Sequence, residues 1–269
     1  MIHTFAAIYI GSYEVSIKIF EISGKKKIRD IDYIRSRIEL GRDAYSKGSI
    51  GYELVEALCD TLAEYKKIMD GYRVDSYEAY AAAALRNAEN ELFILDQIRI
   101  RTGLTVHVLS NSEHRFISYK SVAMRSEFEE LIKTGAAVVD VGGGTTGISI
   151  LKDGKVIFTA DEPTGGTHMT LVLAGSLGCS FEEAERIKKD PKQEMLVFPV
   201  VKPVIEKMAA IVARFIEGYD VDVIYVVGGA CSFKKFESVF EKETGVKTIK
   251  PKEPLLVTPL GIAMNCNKQ

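Results

Sequence analysis

The sequence has few of the residues that mark disulfide-bonded or zinc-binding proteins. It contains four cysteines in 269 residues, and Cys59, Cys179, Cys231 and Cys266 form no closely spaced pair. This distribution predicts reduced thiols, because disulfide frameworks and zinc sites need cysteines that come together at short spacings. The four histidines are equally scattered, which argues against a metal site built on histidine.

Long apolar runs and an excess of one charge are absent as well. No apolar run approaches the ~18 residues of a membrane-spanning helix. Residues 1–12 carry neither the basic start nor the cleavage site of a secretion signal. The 35 basic and 37 acidic residues are interspersed and give a net charge of −2. We therefore expect a cytoplasmic protein that binds neither nucleic acid nor a membrane.

The apolar residues that are present, 46% of the chain, follow the periodicities of a mixed α/β protein. Alternation predicts strands, and spacing of three to four residues predicts helices. The predicted strands include Phe5–Ile10, Glu14–Glu21, Lys27–Ile38, Gly147–Leu151 and Val221–Val227. The predicted helices include Tyr52–Met69, Glu89–Thr102, Ser112–Met124, Met169–Leu177, Phe181–Lys189, Val200–Tyr219 and Pro259–Asn265, and Gly41–Gly48 is a predicted loop.

The most specific motif is AAVVDVGGGTTGISI at Ala136–Ile150, a strand, a glycine-rich turn and a second strand. Glycines 142, 143 and 144 lack a Cβ, so their N–H groups can face an anion, and Thr145 and Thr146 add hydroxyl donors. Asp140 ends the strand, where it can hold a metal ion or a water beside a bound phosphate. An ordinary hairpin turn needs neither three glycines nor an acid.

The two halves of the chain begin in the same way. IYIGSYEVSI in the first half aligns with VVDVGGGTTGISI in the second, and helices and strands then alternate in both. Such a duplication predicts two similar α/β lobes with a ligand cleft between them. Gly11 and Ser12 form the first of two phosphate turns.

These motifs resemble those of the actin/sugar kinase/DnaK ATPase-fold superfamily, whose lobes are ribonuclease H-like. Residues 6–141 resemble the Ppx/GppA family of exopolyphosphatases and guanosine pentaphosphate phosphatases, through AAIYIGSYEVSI, AYAAAALRNAEN and VVDVGGGTT. Residues 137–265 resemble the ethanolamine-utilisation protein EutJ, a DnaK-like chaperone candidate, through VVDVGGGTTGISILKDGKV, EEAERIK and VVGGA. The resemblance implies that residues 1–130 form the first lobe and 131–269 the second, with the last helix packed back on the first lobe.

The phosphatase resemblance assigns roles to individual positions and shows three replaced acids. Tyr9 stands where the family has an aspartate, His114 where it has the catalytic glutamate, and Gly147 where it has another glutamate. Glu113 matches the first glutamate of its motif and Arg86 a phosphate-binding arginine. The resemblance therefore implies catalytic roles for Asp140 and Glu113, a metal at Asp140, and phosphate contacts from Gly11, Ser12, Arg86, Gly142, Gly143, Gly144, Thr145 and Thr146.

The chaperone resemblance implies a nucleoside site. Glu185 and Lys188 share one face of a predicted helix and match nucleoside-binding positions, although a surface ion pair is an equal alternative. Gly228 and Gly229 follow a buried strand and would let an adenine or ribose approach the backbone. Gly165 and Gly166 precede a helix and form either a phosphate site or a turn.

Three functions follow from these resemblances. The first is an EutJ-like protein that binds ATP or another phosphate chain with Mg²⁺, with slow or lost hydrolysis and a chaperone role. The second is an exopolyphosphatase or guanosine pentaphosphate phosphohydrolase, against which the replaced acids argue. The third is a non-hydrolysing sensor of a phosphate ligand. Expected partners are a nucleotide or polyphosphate, a client protein or microcompartment component, and a second copy of the chain.

Overall fold

The computed structural model describes residues 2–23, 27–110, 113, 114, 117, 135–153, 155–251 and 262. The chain divides into two compact units, Met1–Ile117 with Thr258–Gln269, and Ser118–Val257. Each unit contains one five-stranded sheet. The predicted boundary at residues 130 and 131 lies outside the described residues and stays a prediction.

The first unit has the strand order β3-β2-β1-β4-β5. β1 pairs antiparallel with β2 and parallel with β4, so the sheet is mixed. Its strands are β1 (Ile2–Ile10), β2 (Glu14–Ser23), β3 (Lys27–Arg37), β4 (Ser76–Ala81) and β5 (His107–Val108). Its helices are α1 (Leu40–Lys47), α2 (Tyr52–Gly71), α3 (Ala83–Arg86) and α4 (Glu91–Thr102).

The side chains of β1 are buried on both faces of this sheet. Ala6, Ile8 and Ile10 join the larger core cluster, to which α2 and α4 contribute. Phe5 and Ala7 point to the opposite face, where a smaller cluster includes Ile262. Successive strand residues face opposite sides, so a strand covered on both faces has a nearly continuous apolar sequence.

The second unit has the strand order β10-β9-β6-β7-β8. Its strands are β6 (Ala136–Val141), β7 (Thr146–Lys152), β8 (Lys155–Glu162), β9 (Val223–Val227) and β10 (Lys247–Ile249). Its helices are α5 (Gly166–Leu177), α6 (Phe181–Lys189), α7 (Glu194–Ile216) and α8 (Phe236–Thr244). Short 3₁₀ turns lie at Pro191–Gln193 and Gly229–Ser232.

The two sheets have the same topology. In each, the first strand pairs antiparallel with the second and parallel with the fourth. In each, the third strand is at one edge and the fifth at the other. The duplication predicted from the two glycine turns is therefore confirmed at the level of strand order. Within the described residues, no helix is both long and apolar enough to cross a membrane.

Two predictions from the sequence are wrong, one about the type of an element and one about where a helix begins. Leu40–Lys47 is a helix, although Gly41 and Gly48 had indicated a loop; Gly48 instead ends the helix in the left-handed conformation. α7 begins at Glu194, six residues before the predicted start, and contains Pro199 and Pro203. A proline removes one helical hydrogen bond, but the buried face of α7 continues through both positions. The predicted helices at Ser112–Met124 and Pro259–Asn265 lie largely outside the described residues.

Candidate functional site

The glycine-rich turn connects β6 to β7 in the second unit, and residues 142–145 are here called the phosphate loop. The Gly142 N–H donates to the Thr145 carbonyl at 2.9 Å and closes the turn. Within the part of the chain that the structure describes, the N–H groups of Gly143, Gly144 and Thr145 have no acceptor. Gly143 is exposed, and the other two residues are half-buried. The loop therefore presents three backbone donors to an anion.

The amino-terminal end of α5 holds the phosphate loop in place. The N–H groups of Gly166 and Thr167 donate to the carbonyls of Gly142 and Gly143, at 2.9 and 2.8 Å. Gly165 packs against the same carbonyls so closely that a Cβ would lie 2.6 Å from the Gly143 oxygen. These first helical N–H groups are used within the protein, so α5 supports the loop and does not offer them to an anion.

The two threonines of the motif differ in their surroundings. The Thr146 side chain is buried, and its hydroxyl donates to the carbonyl of Thr164 at 2.6 Å. That hydroxyl proton is used in fastening β7 to the segment before α5. Thr145 is half-buried at the end of the loop. The geometry therefore favours Thr145 over Thr146 as the hydroxyl that meets a ligand.

Asp140 is buried at the carboxyl end of β6, with 6% of its surface exposed, and Gly228 packs directly on it. A Cβ at Gly228 would lie 2.7 Å from Asp140 Oδ1 and 2.4 Å from the Val141 carbonyl oxygen. The φ angle of Gly228 is +93°, in a region that favours glycine. The turn after β9 can therefore pack against Asp140 and Val141 because residue 228 has no side chain. Gly229 begins the 3₁₀ turn that follows.

Cys231 fixes the position of this glycine turn. Its thiol donates to the Gly228 carbonyl at 2.9 Å, and the side chain is fully buried. Burial, together with the nearby charge of Asp140, raises the pKa of the Cys231 thiol. The thiol therefore stays protonated and keeps its donor role.

Asp161 is an acid that the sequence reasoning missed. In the sheet register, Asp140 of β6 is opposite Gly147 of β7, and Gly147 is opposite Asp161 of β8. Residues in one such row share a face of the sheet, and Gly147 has no side chain to separate the two aspartates. The turn between β7 and β8 could not reveal this pairing, because a register shift between Ile150 and Leu151 moves the partner of Gly147 by one residue, to Asp161.

Glu185 and Lys188 form an ion pair of 2.6 Å that is largely buried. Lys188 also donates to the Gly166 carbonyl at 3.0 Å and to the Thr170 hydroxyl at 2.6 Å, which ties α6 to α5. Burial alone would raise the pKa of Glu185, but Lys188, the Thr170 hydroxyl and Lys189 outweigh it and lower that pKa to about 2. The pair is thus an internal contact of the second unit, beside the support of the phosphate loop.

In the first unit, the turn at Gly11 and Ser12 is fastened to α1. The Gly11 N–H donates to the Glu14 carbonyl at 2.9 Å. The Ser12 hydroxyl hydrogen bonds with the Tyr45 hydroxyl at 2.7 Å, and the Ser12 carbonyl accepts from the Gly41 N–H. This turn has one glycine where the phosphate loop has three, and its serine is engaged with the neighbouring helix.

Arg86 lies at the end of α3, just after β4. Its Nη1 donates to the Leu109 carbonyl at 2.6 Å, and the side chain is half-buried. Among the described residues, no carboxylate pairs with this guanidinium. A guanidinium is a suitable donor for an anion, and the phosphate contact of Arg86 stays a prediction.

Glu113 forms a reciprocal helix cap with Ser110. Its carboxylate accepts from the Ser110 N–H at 2.8 Å and from the Ser110 hydroxyl at 2.7 Å, while the Glu113 N–H donates back to that hydroxyl oxygen. This is a capping box, and the hydrogen bonds from the Ser110 hydroxyl and N–H lower the pKa of Glu113. Glu113 thus has a structural role that the predicted catalytic role did not include.

Tyr9 and His114 contact each other directly. The Tyr9 hydroxyl hydrogen bonds with His114 Nε2 at 2.8 Å, and the rings stack at 5.6 Å. His114 is buried, with 8% of its surface exposed. Two of the positions where the resemblance implies acids therefore hold a tyrosine and a histidine that pack on each other.

Replacing Tyr9 with phenylalanine is expected to lower the free energy of unfolding by about 1 kcal/mol, because His114 loses a buried partner. Chemical denaturation of Tyr9→Phe and of Tyr52→Phe, whose hydroxyl is at an exposed position, would measure it. Equal stability of both variants would show that the Tyr9 hydroxyl contributes nothing.

The topology and the site together define the class of protein. Two units with one sheet order, each opening on a hairpin with a glycine turn, are typical of the actin-like ATPase fold. MreB5 of Spiroplasma citri bound to ADP has this fold, with a TM-score of 0.67 at 14% identity over 97% of this chain and 95% of that chain. This likeness shows the fold alone.

The chain belongs to the Ppx/GppA phosphatase family, whose model matches residues 19–248. It is also similar to EutJ from Carboxydothermus hydrogenoformans, with a TM-score of 0.73 and 30% identity over 97% of this chain and 89% of that chain. Ethanolamine utilization protein EutJ of Salmonella typhimurium is 49% identical over 129 residues, 48% of this chain and 46% of the relative. The chain thus spans about half the length of the curated relatives it matches. Both family resemblances predicted from the sequence are confirmed.

Proposed function

We propose that the chain binds ATP or another phosphate chain at the phosphate loop and hydrolyses it slowly or not at all. The observation that carries this proposal is the set of three N–H groups, of Gly143, Gly144 and Thr145, that have no acceptor among the described residues. Hydrogen bonds from α5 fix the loop from behind, so little order has to be gained on binding.

Mg²⁺ fits this proposal as a companion of the phosphate. The ion keeps several waters in proteins and binds one or two carboxylates together with substrate phosphates. Among the described residues there is no group of three or more histidines, cysteines or acids that could hold a metal by itself. Asp140, buried beside the loop, would hold the ion, with Asp161 in the same row of the sheet. When bound, Mg²⁺ would neutralise charge on the phosphate oxygens.

The surroundings of the replaced acids support slow or lost hydrolysis. Hydrolysis of a phosphoanhydride needs a group that orients the attacking water. Tyr9 and His114 form a hydrogen bond with each other, and the Glu113 carboxylate accepts hydrogen bonds in a helix cap. Gly147 offers no side chain at all. The residues that remain favour binding over turnover.

Phosphoanhydride hydrolysis is the second candidate function, and Asp161 favours it. The family is one of phosphatases, and Asp161 gives the second unit another carboxylate on the face of Asp140. A carboxylate in that row could orient a water where Gly147 cannot. The rate of phosphate release therefore distinguishes phosphoanhydride hydrolysis from binding with little or no turnover.

Similarity to EutJ supports a role beside other proteins of ethanolamine utilisation. We propose that the ligand-bound state is recognised by a protein partner, either a client in a chaperone role or a microcompartment component. Leu171 and Val172 of α5 support this, because they are exposed apolar residues on the helix that holds the phosphate loop. A sensor that binds without hydrolysis fits the same features.

Calorimetry of Mg–ATP, ADP and tripolyphosphate, with phosphate release followed on the same samples, tests the proposal. We expect Mg²⁺ to strengthen triphosphate binding, and Asp140→Asn to weaken the Mg²⁺-dependent affinity about tenfold, since one carboxylate ligand is lost. Any residual phosphate release should also disappear in Asp140→Asn. Asp153→Asn, a change of the same chemistry at an exposed turn, is the matched control.

Two results would count against the proposal. If the affinity for the triphosphate were the same with Mg²⁺ and with a chelator, Mg²⁺ would have no part in binding. Multiple turnover of tripolyphosphate by the wild type would favour the phosphatase function, and Asp161→Asn would then show whether Asp161 replaces a missing acid.

A further inference from the structure

The support of the phosphate loop continues from α5 into α6. The Gly166 and Thr167 N–H groups hold the carbonyls of the loop. The Gly166 carbonyl, which is in the same peptide unit as the Thr167 N–H, accepts from Lys188 Nζ at 3.0 Å. The Thr170 hydroxyl, which lies one helical turn after Gly166, accepts a hydrogen bond from the same Nζ. One ammonium group therefore anchors the first turn of α5, whose N–H groups anchor the loop.

The packing around Gly166 leaves this turn little freedom. A Cβ at Gly166 would lie 3.2 Å from the Cβ of Ala230, in the turn that follows β9. The same Cβ would lie 3.7 Å from Lys188 Nζ. Gly166 is thus confined between the 3₁₀ turn on one side and the ammonium group on the other.

The charge of Lys188 is balanced at the site. Glu185 pairs with it at 2.6 Å, and only 11% of the lysine and 15% of the glutamate side chain is exposed. Lys189 reaches the same carboxylate at 3.1 Å but is 58% exposed. The two lysines therefore share a partner, and the contact with Gly166 distinguishes Lys188.

We propose that Lys188 is a positioning residue for the phosphate loop, acting through Gly166 on the phosphate chain of any ligand. This inference rests on the proposed function. It gives Lys188 a role different from the nucleoside contact that the sequence resemblance implies. A nucleoside contact affects only ligands that carry a nucleoside, whereas a positioning residue affects every ligand that meets the loop.

Two probes separate these roles, Mg–ATP and Mg–tripolyphosphate, which has no nucleoside. The variant is the double substitution Glu185→Gln with Lys188→Met, which removes the Nζ donor without leaving a buried charge. We expect both affinities to fall by the same factor, about tenfold, as for a lost charged hydrogen bond. Lys189→Met, the matched control, should change either affinity by no more than about twofold. A loss confined to Mg–ATP would overturn the proposal.

A measurement without ligand keeps the inference separate from the proposed function. In the double variant, the amides of Gly166 and Thr167 should exchange with deuterium about tenfold faster than in Lys189→Met, because the first turn of α5 loses its anchor. Unchanged exchange at both amides would overturn the positioning role. If the wild type binds neither probe, the proposed function fails, and the exchange rates still decide whether Lys188 holds the loop.

Discussion

Gly228→Ala is expected to lower the free energy of unfolding by about 3 kcal/mol and to abolish ligand binding. At φ +93° and ψ 165° residue 228 lies in a region that is essentially restricted to glycine, where an alanine costs about 1–3 kcal/mol. Its Cβ would also lie 2.4 Å from the Val141 carbonyl oxygen and 2.7 Å from Asp140 Oδ1. The backbone must move to relieve this overlap, at a further cost of about 1–3 kcal/mol. Chemical denaturation and calorimetry with Mg–ATP measure both effects.

Gly178→Ala places an alanine at another positive φ angle, but without an overlap with neighbouring atoms. Gly178 ends α5 at φ +64°, and a Cβ there would meet nothing within 4 Å. We expect this control to cost only about 1 kcal/mol, the usual penalty for alanine in the left-handed region, and to bind ligand normally. If the two variants were equally stable, the close approach of Gly228 to Asp140 would have no energetic consequence.

Lys188→Met is expected to lower the free energy of unfolding by about 3 kcal/mol, because it leaves the buried Glu185 carboxylate without its main partner. Adding Glu185→Gln should restore most of this loss, since no buried charge then remains. Denaturation of the two single variants, the double variant and the wild type gives the coupling energy. Additive effects would show that the two side chains do not interact.

The same pair predicts an acid-dependent loss of stability. The folded-state pKa of Glu185 is lowered to about 2, below its value in the unfolded chain. Its contribution is therefore complete above about pH 5 and is lost as the pH falls towards 2, by about 3 kcal/mol in total. Glu185→Gln should lack this part of the pH dependence. A wild-type profile parallel to that of Glu185→Gln between pH 5 and 2 would contradict the prediction.

The fold was predictable because its signals are local. Alternation in Phe5–Ile10 and Ala136–Ile150, and the turns that follow them, predicted two hairpins and hence a duplication that the sheet order confirms. The errors have local causes too. Glycines at both ends of Leu40–Lys47 concealed a short helix, and Pro199 lies inside α7 because burial of one face outweighs a lost hydrogen bond.

The arrangement of the candidate site was predictable only where one segment of the sequence contains its residues. Asp140 and the three glycines lie in one stretch of sequence, so their proximity follows from the turn. The support of the loop depends on contacts between distant segments, such as Lys188 with Gly166 and Gly228 with Asp140. The first unit shows the same limit, because residue spacing in the sequence could not reveal the hydrogen bond between Tyr9 and His114, which are 105 positions apart.

Amide NMR tests most directly whether the phosphate loop binds a phosphate chain through its backbone N–H groups. The wild-type protein would be titrated with Mg–ATP and with Mg–tripolyphosphate while the backbone amide resonances are followed. We predict saturable shifts that are largest at Gly143, Gly144 and Thr145, with Gly103 and Gly178 unmoved. Saturable binding that leaves those three amides unshifted, or no binding of either probe, would contradict the claim.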